Sequence, residues 1–286
     1  MTEVLVYAVA AREATARRLL GAACQASGIG ARLELYGSSG SLYQRLGPRR
    51  APPFPDVVMW FGPFAARAAA LDGLLQPHQP ATVPDGVVHD PDWHWTTLDY
   101  SSIGVVGPPG IASLQDLAAV NSLAFADPER SESGLASLLA TLDRARQAES
   151  DVERGWAWWQ QRMRSGVQLT EDDPGAVASV GEGDVSHALT LADAGSPIVG
   201  LAPLPHAIGL AAASRNADAA RSLLDWLTGA EMSALLRLSP WQTASNGRLL
   251  TLLAASPALD VEWGRQQYTA VRNRWAQRGF GPIVKG

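Results

Sequence analysis

The sequence predicts a two-lobed α/β fold, with mixed sheets flanked by helices and extended hinge strands between the lobes. Three observations carry this. At 286 residues the chain exceeds one typical domain and fits two of roughly 100–150 residues. Its opening third alternates strand and helix, which implies a mostly parallel sheet covered on both faces. Near residue 100 a long extended segment, Trp95–Val106, ends at Gly107-Pro108-Pro109-Gly110, and a second α/β series begins beyond it. The expected division is residues 1–99 with 206–286 in the first lobe and 100–205 in the second.

The elements follow in order. Val4–Val9 is a short apolar run, read as a buried strand within an opening stretch that extends to Ala10. Across Arg12–Ser27, Ala16, Leu19, Leu20, Ala23 and Cys24 recur at helical spacing, and Gly28-Ile29-Gly30 stops the helix. Arg32–Tyr36 is a second strand. Gly37-Ser38-Ser39-Gly40 breaks the pattern before Leu42–Leu46 resumes as a helix. The proline-rich Pro48–Pro55 is a loop, Asp56–Phe61 a third strand and Ala65–Gly73 a short helix. In the second series, Leu114–Ala119 is a short helix, Ser122–Ala126 a strand and Asp127-Pro128 a turn. Ser133–Arg146 is a helix turning Leu135, Leu138, Leu139 and Leu142 inward, and Arg154–Arg164 is a tryptophan-rich helix. Ala176–Gly181, Ser186–Leu191 and Ile198–Leu201 complete the unit. Asp218–Leu227, Ala230–Leu238 and Trp263–Gln277 are helical.

Composition removes several classes of function. A net charge of −5 argues against nucleic acid, which requires a basic face. No apolar run reaches the roughly 18–20 residues that span a bilayer. The opening strand leaves no room for a signal peptide, so either the protein is cytoplasmic or the chain is a mature form with an added start methionine. Cys24 is the only cysteine, so no internal disulfide forms, and it is read as a buried, inert thiol. There is no Gly-x-Ser-x-Gly elbow, no phosphate-binding loop of the Walker type and no Gly-x-Gly-x-x-Gly after the first strand. No enzyme activity and no cofactor are therefore expected. No His/Cys/Asp cluster has zinc-like spacing.

Several segments, in this order, resemble the type II periplasmic solute-binding proteins of ABC transporters, in their ferric-iron and phosphonate-binding group. Val4-Leu5-Val6-Tyr7 through Gly28-Ile29 looks like that group's first βα unit, and Gly37-Ser38-Ser39-Gly40 is similar to its first ligand loop. Asp56-Val57-Val58-Met59-Trp60 resembles the strand that delivers a pocket residue. Ala70 through Pro77 matches a recurrent helix exit. Trp95 before Tyr100-Ser101-Ser102 looks like the approach to the hinge strand, and Asp127-Pro128 with Ser131-Glu132-Ser133-Gly134 resembles the second ligand loop. Gly181-Glu182-Gly183-Asp184 with Thr190 and Asp193 is similar to the late ligand segment, and Arg215 through Leu227 to a helix near the end. The resemblance implies two lobes that close on a ligand by hinge motion.

Candidate ligand residues follow from position. Open α/β sheets bind ligands at the carboxyl ends of their strands. Ser38 and Ser39 lie between a strand and a helix, where backbone donors and hydroxyls suit an anion; the competing reading is an ordinary N-cap. Ser131 and Ser133 make the same proposal, with the same alternative, in the second lobe. Trp60, Phe61, Trp93 and Trp95 offer an aromatic wall, with core packing as the competing reading, whereas Trp156, Trp158, Trp159 and Trp226 read as core. Thr190 and Asp193 close a strand, where Asp193 either pairs with a ligand amine or caps the next helix. His187 reads as structural; His206, beside Pro205, lies near the return crossing.

Iron-binding relatives use adjacent tyrosines in the second lobe, yet none of the tyrosines at 7, 36, 43, 100 and 268 lies between Ser101 and Leu201. Where such relatives carry a histidine in the first βα loop, this chain has Ala10-Ala11. The expectation is therefore a monomeric, periplasmic or membrane-anchored extracellular binding protein. It would carry a small anionic or zwitterionic organic solute, a phosphonate among the candidates, to an ABC transporter permease. A ferric-iron carrier and a cytoplasmic sensor or enzyme on the same fold are the alternatives.

Overall fold

The structure, a computed structural model, describes residues 2–47, 51–83, 87–111, 116–120, 122–191, 199–229, 232 and 260–277. It divides into two compact units, Met1–Tyr100 with Pro205–Asn246, and Ser101–Leu204 with Gly247–Gly286.

In the first unit, β1 (Glu3–Val9) pairs in parallel with β2 (Gly30–Tyr36) and β3 (Val57–Phe61). The runs Val4–Ala8 and Val57–Phe61 are buried throughout, as strands covered on both faces must be. A long strand, β9 (Val199–Ala211), passes from the second unit into the first, where it pairs antiparallel with β3 and with the short β4 (Leu75–Gln76). The helix α1 (Glu13–Ser27) turns Ala16, Leu19, Leu20 and Ala23 inward, and ends at Gly28 in a left-handed conformation, φ 70°. Its inner face packs with Leu223, Leu224 and Leu227 of α7 (Ala217–Thr228) on the sheet. Each leucine fully buried in this way contributes about 1.5–3 kcal/mol. Cys24 is only partly buried, so the expectation of an enclosed thiol is corrected. The helices α2 (Ser39–Leu46) and α3 (Pro63–Leu71) follow β2 and β3. Pro63 opens α3 two residues before the expected start, because its fixed φ suits a first helical turn.

Asp56 anchors the amino edge of this sheet. Its carboxylate accepts from the N–H groups of Leu5, Arg215 and Asn216, from the Ser214 hydroxyl and from the Asn216 side-chain amide, at 2.7–3.3 Å. These bonds tie β1 and the entry to α7 onto the start of β3. Burial pushes the Asp56 pKa up, but the donors together prevail and hold it below the usual carboxylate value.

The strand β5 (Thr96–Val106) runs from the first unit into the second, where it pairs antiparallel with β8 (His187–Leu191). There β6 (Leu123–Ala126) pairs in parallel with β8 and with β7 (Val167–Thr170), a strand that the sequence reading did not identify. Only Val167 of its four residues is buried, so its apolar signal is weak. The helices are α4 (Glu132–Glu149), α5 (Val152–Ser165) and α6 (Asp173–Gly181). Gly134 lies where α4 presses on the end of β6, and a Cβ there would stand 2.0 Å from the Ala126 carbonyl oxygen.

The last described helix, α8 (Val261–Gln277), belongs to the second unit and not, as expected, to the first. The reason is aromatic packing. Trp275 is buried edge-on against Phe125 and Trp159, at 5.7 and 5.8 Å between ring centroids. Asp143, itself buried, accepts the Asp260 N–H at 2.9 Å and fixes the entry to α8. Trp156 and Trp159 are core residues, in keeping with the sequence reading. The expected helix Ala230–Leu238 falls almost wholly outside the described residues.

Candidate functional site

Because β1 and β3 are parallel, their carboxyl ends share one edge of the first unit's sheet, opposite the Asp56 anchor. β9 runs the other way, with Phe61 opposite Ala207, so His206 stands one step beyond, at the same edge. After β1, a 3-10 turn over Ala10–Arg12 carries Arg12 out, and its Nη2 lies 3.5 Å from His206 Nε2.

Trp60 is the unusual residue. It has φ 52°, a left-handed conformation rare for a bulky side chain, and the β3–β9 register shifts between Met59 and Phe61, on either side of it. Such a backbone state costs on the order of 1–3 kcal/mol and persists only where its surroundings enforce it. The irregularity re-aims the side chain, as bulges do. The indole is buried, and its Nε1 donates to Asp99 Oδ2 at 3.0 Å.

Asp99, on β5, is the electrostatic centre of the group. Burial pushes its carboxyl above the usual range, while the nearby Arg12 charge and the Trp60 hydrogen bond pull it partly back. Its other oxygen, Oδ1, is buried without a hydrogen-bond partner. Arg12, Trp60, Asp99 and His206 thus bring a cation, an indole on a strained backbone, an under-satisfied carboxyl and an imidazole to one sheet edge.

The expected ligand residues take these places. Ser38 caps α2 in a reciprocal box with Ser41, each backbone N–H donating to the other's hydroxyl at 3.1 Å. Ser39 is buried, and its Oγ accepts the Gly62 N–H at 2.8 Å, locking α2 to the turn after β3. Phe61 is fully buried; Trp95 is 3 % exposed, with its indole Nε1 unpartnered. In the second unit, Ser131 caps α4 and its Oγ lies 2.6 Å from that of Ser133. Thr190 is fully buried within β8, and Asp193 lies outside the described residues. Caps thus account for the Ser38 and Ser131 hydroxyls, and the helices start earlier than expected, α2 at Ser39 instead of Leu42 and α4 at Glu132 instead of Ser133. Arg12 and Asp99 were missed. The available signals were a charged residue just past an apolar strand and a lone carboxylate within an extended apolar segment.

Although the sequence shows no zinc-like spacing, the fold gathers Asp90, Asp92 and His94, with candidate ligand atoms within 4.8 Å of one another. Asp90 is fully buried and already occupied. Oδ1 takes Arg67 at 2.6 Å, while Oδ2 takes the His94 ring nitrogen at 2.9 Å and the N–H groups of Asp92 and His94. These donors outweigh burial, and the Asp90 pKa falls below the usual value. Such a carboxylate anchors a loop.

The sequence matches no protein-family model and no curated protein. Solved structures do match. The apo ferric ion-binding protein A of Pasteurella haemolytica superposes with a TM-score of 0.77 at 14 % identity, over 100 % of both chains. The periplasmic binding protein AfuA of Actinobacillus pleuropneumoniae, with fructose-6-phosphate bound, gives 0.73 at 13 % identity, over 96 % of this chain and 98 % of that one. Iron-bound HitA of Pseudomonas aeruginosa gives 0.68 at 16 % identity, over 84 % and 85 %. The chain therefore has the type II periplasmic-binding-protein fold.

Proposed function

We propose that this protein is the extracytoplasmic solute-binding component of an ABC importer and captures a small anionic or zwitterionic organic solute, with phosphonates among the candidates. The observation that carries this reading is the convergence of Arg12, His206 and the Trp60–Asp99 pair on the carboxyl edge of a sheet, where open α/β sheets take ligands. The fold supports the transport role, since the similar structures are binding proteins, one of them carrying a sugar phosphate. In this reading Arg12 supplies the charge an anionic group needs. The capped start of α2, with Ser38, adds a positive helix end, and Ser131 at the capped start of α4 stays among the proposed ligand residues. Ser39, Trp60, Phe61, Trp95, Ser133, Thr190 and Asp193 complete the proposed ligand residues. The protein acts as a monomer, delivers its solute to a permease and performs no chemistry on it. No helix among the described residues is long and apolar enough to cross a membrane.

Ferric iron is the second reading, favoured by similar structures of an iron-bound protein and of an apo ferric ion-binding protein. The donor set argues for the organic anion. The Tyr7 and Tyr43 hydroxyls donate to the Pro53 carbonyl and to Asp72, and the Tyr100 hydroxyl accepts the Val88 N–H. The candidate edge presents a guanidinium, which repels a metal cation.

A thermal-shift and calorimetric screen against phosphonates, phosphate esters, sulfonates, amino acids, neutral sugars and Fe(III) tests the proposal. The expected result is stabilisation by an anionic or zwitterionic solute, with affinity falling about tenfold or more in Arg12→Gln. Stabilisation by Fe(III) or a neutral sugar alone sinks it.

A further inference from the structure

We infer that Asp99 Oδ1 is the acceptor for a protonated amine of the ligand, so that the solute is a zwitterion whose anionic end is held by Arg12. This rests on the proposed function and narrows it from anions to amino-substituted anions. Two independent observations lead there. The first is the orphan oxygen: buried side-chain acceptors are nearly always paired, and one left open forfeits the hydrogen bond it would make to water. The second is the backbone of Trp60, held at φ 52° beside a register shift while its N–H meets Asp99 Oδ2. The strain is spent on orienting a carboxyl of which one oxygen stays open. A group fixed on one side and vacant on the other is pre-organised for a donor from outside the chain.

The charged groups around Asp99 decide which donor. Arg12, on the turn after β1, acts on it electrostatically, and His206 of β9 lies against Arg12. Trp60 of β3 supplies a single neutral N–H. A desolvated carboxylate gains most from a charged donor, whose hydrogen bond is about twice as strong as a neutral one. With a guanidinium and an unpaired carboxylate oxygen at one edge, the site is complementary to a short molecule carrying both signs. Burial also holds the Asp99 proton more tightly than usual. Docking an ammonium on Oδ1 stabilises the carboxylate and expels that proton.

Matched pairs test this: 2-aminoethylphosphonate against ethylphosphonate, and taurine against ethanesulfonate, titrated calorimetrically into the intact protein. The amine-bearing member of a pair that binds should do so about tenfold or more tightly. In Asp99→Asn that ratio should collapse to about one. Wild-type protein titrated in two buffers of different ionisation enthalpy gives a readout that needs no variant. In the taurine and ethanesulfonate pair, whose sulfonates do not titrate, the amine-bearing member should release more proton than its partner, because the Asp99 carboxyl holds its proton more tightly than usual. Equal affinities within the binding pairs overturn the assignment of Asp99 while leaving the anion reading intact. Failure of all four compounds and of every other anion overturns the anion reading, and this assignment with it.

Discussion

The two ends of the first unit's sheet each hold an aspartate, buried at Asp56 and partly buried at Asp99, and they are treated in opposite ways. At the amino edge, Asp56 accepts from five donors on two segments, and its pKa is lowered. At the carboxyl edge, Asp99 accepts from one indole, keeps an oxygen unpaired and has its pKa raised. Burial acts on both carboxyls in the same direction; the number of donors decides the sign. The saturated carboxylate holds the fold together. The starved one leaves a buried acceptor unpaired at the edge where the proposed ligand docks.

The contrast breaks first at Asp56. Asp56→Ala removes five charge-assisted hydrogen bonds, nominally about 1.5–3 kcal/mol each, of which water recovers a large part. A loss of about 3–5 kcal/mol is expected in urea denaturation. The pH dependence follows from the lowered pKa. The stability contributed by Asp56 is complete above the unfolded-state value of about 3.9 and is lost as pH falls towards the lower folded value. Asp56→Asn should therefore flatten the acid limb of the stability profile. An unchanged limb shows that Asp56 is not the anchor.

Asp99→Asn should move stability the other way. A carboxyl whose folded pKa is raised makes the native state less stable as pH rises through the interval between the unfolded and folded values. Asparagine keeps a carbonyl for the Trp60 N–H and carries no charge to desolvate. A gain of about 1–2 kcal/mol at neutral pH is expected in the same denaturation experiment. A loss of that size would show that Asp99 supports the fold as Asp56 does.

The smallest effect lies at the same carboxyl edge. Ser38→Ala removes one side of the α2 capping box and should cost about 1 kcal/mol. If the hydroxyl also meets the solute, affinity falls beyond what that loss explains, and calorimetry on the variant separates the two.

Much of the fold was legible in the residues. β1 and β3 announced themselves as continuous apolar runs, α1 by its inward stripe and its closing glycine, and β5 by its length before Gly107. The less legible parts have physical causes. β7 is short and three-quarters half-buried, so it carries no pattern. α8 joined the second unit because Trp275 meets Phe125 and Trp159, residues more than a hundred positions away in the chain. At the candidate site, serines and tryptophans were chosen for their chemistry and their place after strands. The fold engaged several of them as caps and core.

Taken alone, the sequence determined the alternation of elements and the two-unit division near residue 100. These follow from hydrophobic periodicity and turn residues, which act over a few positions. The tertiary structure decided which aspartate is satisfied and which is left wanting. Asp56 and Asp99 look alike in the chain, each beside apolar neighbours. Their difference depends on donors brought from Leu5, Ser214, Arg215 and Asn216 to one of them, and from Trp60 alone to the other. Hydrogen-bond supply at a buried carboxyl is a property of long-range contacts, and no local pattern encodes it.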